Sequence, residues 1–113
     1  MAFSHRIEDG ICVVSIEGNI ALDGVSEAKA YLKPHLENPA VKAMVINFEG
    51  VNFIDSSGIG LIVSLFKAMQ QKDAKFSLCN LKKKNEEIFV ITRLNKILDI
   101  YPTEADALAA LRK

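Results

Sequence analysis

Tryptophan is absent, and the 113 residues include only two cysteines, two histidines and three prolines. Cys12 and Cys79 each lie in an apolar run without CxxC spacing, so a disulfide scaffold is excluded and both read as buried, reduced thiols. His5 and His35 have no Cys/His cluster around them, which leaves no candidate metal site and no implied cofactor. Charge of one sign is also missing. Fourteen Lys and Arg balance fourteen Asp and Glu, for a formal net charge of zero. That balance argues against an electrostatic nucleic-acid binder and against a polybasic membrane binder. No apolar run approaches the ~18 residues of a membrane span. Met1 to Gly10 carries His5, Arg6, Glu8 and Asp9 and lacks the apolar core of a signal peptide, so the expected location is cytoplasmic. Lys82-Lys83-Lys84 is the one charge run, short of the ~5–8 residues of a basic recognition patch, and reads as a solvated face.

What remains is a chain that is 50% hydrophobic, enough for one core and one domain spanning 1–113. Phe3 to Ile7 reads as a short edge strand. Asp9-Gly10 is a hairpin signal, and Ile11 to Ile16 is a β-branched strand pairing antiparallel with the first. Glu17-Gly18-Asn19 is expected to end it. Val25, Ala28, Leu32 and Leu36 follow helical spacing from a cap near Asp23, and Pro34 is expected to kink or split that helix near Tyr31. Ala43 to Phe48 is apolar on both faces, as a central covered strand is. Glu49-Gly50-Val51-Asn52 reads as a loop, with Val51, Phe53 and Ile54 anchoring it to the core. A helix from Ile59, a strand over Lys75–Asn80 and a helix from near Asn85 follow. Ile97 to Tyr101 is a last strand or packed turn. Thr103 opens a final helix with buried Ala107, Leu108 and Leu111. Strands alternating with helices after a hairpin imply an α/β fold: a mixed sheet of four to five strands layered with about four helices.

The stretch Phe53-Ile54-Asp55-Ser56-Ser57-Gly58-Ile59-Gly60 organises this pattern. It joins the central strand to an apolar helix, and Asp55, Ser56 and Ser57 sit where that helix needs a cap. Unpaired backbone N–H groups and the helix dipole favour negative charge there, so two hydroxyls at this point are well placed for phosphate. Helical capping alone is the plain reading of the same three residues. At about 100° per residue, Ile59, Ile62, Val63 and Phe66 share the expected core face, with Met69 near its margin. Ser57, Leu61, Ser64 and Ala68, with Leu65 beside them, then fall opposite. Small residues and leucines in place of Lys, Glu and Gln make that opposite face an expected docking surface, for a partner or for a homodimer.

Enzyme chemistry finds little support. Gly58 and Gly60 form a GxG, but residue 63 is Val and no Walker lysine follows. Ser56 or Ser57 as a nucleophile needs a base, and neither histidine is nearby in a GxSxG-type arrangement.

Val51-Asn52-Phe53-Ile54-Asp55-Ser56-Ser57-Gly58-Ile59-Gly60-Leu61 resembles the phosphorylation loop of bacterial anti-sigma factor antagonists, which belong to the STAS domain family. Gly18, the apolar strand 43–48, and Leu94 to Tyr101 followed by a helix rich in Glu, Asp and Ala are also similar to that family. Asn19, Ala21 and Asn47 stand where acidic residues are common in it. The resemblance implies a STAS-like domain with a non-enzymatic role. It implies that the unphosphorylated form binds a serine-kinase anti-sigma factor and so releases a sigma factor. The kinase would use ATP to phosphorylate Ser56, with Ser57 as neighbouring alternative, and a PP2C-type phosphatase would reverse this. Asp55, Ser57, Gly58, Leu61, Ser64 and Leu65 are then the expected partner-binding residues. Other members imply another use: a constitutive interaction subunit of a sensory scaffold or a lipid-transport ATPase, without phospho-switching.

Overall fold

A computed structural model of the chain describes residues 1–112. Its strands are β1 (Ala2–Glu8), β2 (Ile11–Ile20), β3 (Ala43–Asn47), β4 (Val51–Ile54), β5 (Lys75–Cys79) and β6 (Asp99–Tyr101). Its helices are α1 (Val25–Glu37), α2 (Ser56–Gln71), α3 (Lys83–Ile91) and α4 (Glu104–Leu111). β1 and β2 form the antiparallel hairpin, turned by Asp9 and Gly10 at φ 53° and 77°. β2, β3, β5 and β6 are parallel, giving the order β1-β2-β3-β5-β6. This is the mixed, helix-layered sheet expected, with a sixth short strand outside the main path.

Residue alternation sorts the core into two layers. Cys12, Val14, Ile16, Met44, Ile46 and Leu78 face α1, α2 and α3. Ile11, Val13, Ala43, Val45 and Cys79 face α4, which contributes Ala107 and Leu108. β3 is therefore covered on both sides, which is why its sequence is almost unbroken apolar. α4 is capped by Thr103, whose Oγ1 accepts from the Asp106 N–H at 3.1 Å. Its Glu104 takes a 2.7 Å ion pair from Arg6 on β1 and a 3.1 Å hydrogen bond from the Asn47 amide on β3. Those donors, Arg6 foremost, hold the Glu104 carboxyl below the usual range. An Asp at 47 would instead set two carboxylates side by side, so the amide fits this neighbour.

Three local expectations are corrected. Gly18 does not end β2. Its φ of +111° is one that an L side chain rarely adopts, and the strand continues past it to Ile20. Residues 51–54 are not loop but β4, which pairs parallel with that extension of β2. Pro34 does not split α1, which runs unbroken through it. The end of α1 is held by α2, where Lys72 Nζ donates to the Leu36 and Asn38 carbonyls at 3.0 and 2.9 Å.

Candidate functional site

The site is built where β4 hands over to α2. Asp55 is the N-cap, with extended backbone, and its Oδ1 accepts from the Gly58 N–H at 3.0 Å. Its Oδ2 accepts from the Leu22 N–H at 3.2 Å. One carboxylate thus closes the start of α2 and ties it to the turn after β2. The Asp55 N–H donates to the Ile20 carbonyl at 3.2 Å, continuing the β2–β4 ladder into the cap. From behind, buried Asn85 on α3 donates to the Val51 carbonyl at 3.1 Å, and Lys82 Nζ donates to Asn52 Oδ1 at 3.0 Å. The loop is therefore fixed from three elements before any ligand arrives.

The two hydroxyls sit differently. Ser56 is exposed on the first turn of α2, and Ser57 is half-buried. Neither takes part in the cap hydrogen bond, which Asp55 makes. Asp55→Ala is expected to cost about 1–2 kcal/mol by chemical denaturation, because it frees two backbone donors, while Ser56→Ala should stay within about 0.5 kcal/mol of wild type.

Helix α2 is turned relative to its sequence-based wheel. Leu61 and Leu65 are 1% and 2% exposed and belong to the core with Ile62 and Met69. Gly58 is buried as well. These three residues are not on a docking surface, and a homodimer face through the two leucines is excluded by the same burial. Ile59, Val63 and Phe66, expected in the core, are half-buried. The apolar stripe of α2 is broad enough to admit either orientation, and packing at Gly58 selects one. A Cβ there would run into the Ile20 carbonyl and come within 2.5 Å of Ile54 Cγ1. That glycine is needed for close approach of α2 to β2 and β4.

The outward face of α2 is formed by Ser56, Gly60, Ser64 and Lys67. Gly60, Val63, Ser64, Lys67, Ala68 and Gln71 line a shallow open depression of ≈ 400 Å³ along it. Of the expected partner-binding set, Ser64 is on this face, while Asp55 and Ser57 are half-buried at its head. Two further residues escaped the sequence reading. Phe53, expected as a core anchor, is 47% exposed, and Leu22 is 75% exposed. Phe53 lies two residues ahead of Asp55, and the Leu22 N–H is bonded to Asp55, so both exposed apolar residues belong to segments that meet at the cap. The burial order of β4 is in-out-out-in rather than alternating, because the register shifts opposite Gly18 and Asn19 and leaves Asn52 as an extra residue on β4. No local signal in the sequence announces that shift at Phe53.

Nothing nucleophilic competes with the loop. Burial pushes the Cys12 thiol up, and burial, then Glu104 and Glu49, push Cys79 up to about 12, so both stay protonated and inert. Among the described residues no group of three or more His, Cys, Asp or Glu is arranged to hold a metal ion. No helix among them is long and apolar enough to cross a membrane.

A mixed sheet with a capped serine loop feeding α2 defines a class, and the chain belongs to it: the STAS domain family, whose model matches residues 2–107. Among curated relatives, the anti-sigma F factor antagonist of Paenibacillus polymyxa is 24% identical over 107 residues, covering 95% of this chain and 89% of that protein. The anti-sigma-B factor antagonist of Staphylococcus aureus is 26% identical over 93 residues, covering 82% and 85%. Among solved structures, an anti-sigma factor antagonist from Mycobacterium paratuberculosis superposes with a TM-score of 0.91 at 24% identity, covering 99% of this chain and 94% of that one. The anti-sigma factor antagonist SpoIIAA in its unphosphorylated form gives 0.82 at 23% identity, covering 98% and 96%. The fold is therefore shared along nearly the whole chain.

Proposed function

We propose that this protein is an anti-sigma factor antagonist, a non-enzymatic binding switch whose loop at Ser56 is read by a serine-kinase anti-sigma factor. The observation that carries the reading is the division of labour at the head of α2. Asp55 supplies the cap, which leaves the Ser56 hydroxyl exposed and free of any structural duty. The relatives' names support the class of partner.

Phosphate on Ser56 would gain from the helix N-terminus and add roughly −1.5 to −2 charge to a loop whose adjoining segments expose Leu22 and Phe53. The isolated fold tolerates that charge in water. A partner that buries the two apolar side chains would have to desolvate it. The unphosphorylated form thus binds and the phosphorylated form does not, with a PP2C-type phosphatase restoring the first. Ser57 is the weaker acceptor because it is half-buried.

The test is intact-mass and phosphosite mapping of protein from its native cell, paired with pull-down of the kinase by variants. Ser56→Asp is expected to weaken binding at least about tenfold, with Ser56→Ala competent throughout. Equal binding by both, and no phosphorylated species, would favour the second reading of a constitutive interaction subunit.

A further inference from the structure

On the sheet edge remote from α3, four rings interlock between β1 and α1. Phe3 stacks on Tyr31 with centroids 4.7 Å apart. His5 Nδ1 lies 2.6 Å from the Tyr31 hydroxyl. The His5 and His35 rings are 4.2 Å apart and tilted by 52°. Phe3, His5 and Ile7 share one face of β1, so this cluster is the contact that β1 makes with α1, while Arg6 on the other face pairs with Glu104 of α4.

We propose that His5 and His35 form a proton-sensitive latch that holds β1 against α1 at neutral pH and releases it on acidification. The first proton is tolerated. If His5 takes it, both ring nitrogens donate and the Tyr31 hydroxyl turns to accept. A second proton puts two imidazolium rings in contact. Tyr31 of α1 packs against both rings, with its hydroxyl at His5 Nδ1 and its ring 5.7 Å from that of His35, and it carries no compensating charge. Among the described residues neither imidazole has an ion pair with a carboxylate. Burial of Tyr31, then Cys12, pushes its phenol up, so it stays neutral throughout.

The direction of the effect follows from linkage. Burial first, and His5 second, pull His35 below the usual imidazole range, even though it sits in the last turn of α1, where the dipole favours a cation. A group with a lowered folded pKa contributes stability above its unfolded value of about 6.5, and that contribution is lost as pH falls through the folded value. The consequence reaches the opening of the chain. Met1, at the head of β1, packs over Gly18 and Gly24, on either side of the turn that carries Leu22.

The test is NMR on the full chain. His35 is expected to take up its proton at lower pH in wild type than in His5→Gln, because the neighbouring ring disfavours its charge. Amides 3–7 should exchange at least about fivefold faster at pH ~5.5 than at pH ~7.5, after correction for intrinsic rates. His35→Gln should abolish that difference, with His5→Gln as the alternative should the first fail to fold. A His35 titration that His5→Gln leaves unchanged would overturn the latch. So would an acid-induced loss of protection that persists in the variants.

Discussion

Gly58→Ala is expected to destabilise the protein by about 3 kcal/mol or more, a large share of the ~5–15 kcal/mol of a domain this size. The added methyl would meet the Ile20 carbonyl, Ile54 Cγ1 at 2.5 Å and Ile20 Cγ2 at 3.0 Å. The carbonyl cannot step aside cheaply, because it accepts from the Asp55 N–H. Relief requires α2 to lift from β2, and that breaks the cap on which the serine loop depends. Gly60, two residues on, is the control. A Cβ there has nothing within 4 Å, and an exposed helical Gly→Ala change is expected to add about 0.5–1 kcal/mol. Urea unfolding of the two variants should therefore shift in opposite directions. Equal shifts would mean that α2 does not rest on β2 as described.

Leu65→Asp and Ser64→Arg make the second contrast, between neighbours on opposite sides of the same helix. Leu65 is 2% exposed, so an aspartate there removes a core side chain and buries a charge without a partner. The cost, on the order of 4–5 kcal/mol, should leave little cooperatively folded protein by circular dichroism and thermal melting. Ser64 is exposed on the outer face beside Gly60 and Lys67. Ser64→Arg should leave stability within about 0.5 kcal/mol. If the partner docks along this face, the long side chain in place of a small one should weaken the complex at least about tenfold. Leu65→Asp protein that folds normally and loses only binding would return Leu65 to the surface and overturn the helix orientation.

Alternating patterns made the architecture legible from the residues. The β-branched run Ile11 to Ile16 after Asp9-Gly10 specifies the second strand of a hairpin, and Ala43 to Phe48, apolar on both faces, specifies the covered strand at the centre. Asp55 before two serines and a glycine announces a helix start, because a short acceptor side chain satisfies backbone donors whatever surrounds it. The position of the candidate loop follows from that alone. Which way the loop and its helix face does not. The wheel of α2 carries apolar residues around most of its circumference, so periodicity does not separate Ile59 and Phe66 from Leu61 and Leu65. Contact with Ile20 and Ile54 does, through the one residue small enough to permit it. The same holds for Phe53, whose exposure depends on a register shift at Gly18, 35 positions earlier in the chain. The sequence by itself determined the order of elements apart from β4 and the last short strand, the capped serine loop and the covered central strand, because those depend on local hydrogen bonding and on period. Only the tertiary structure decided that Leu22 and Phe53 are exposed and that Gly60 rather than Leu61 or Leu65 shares the outer face with Ser64, because that depends on which surfaces of distant segments fit together.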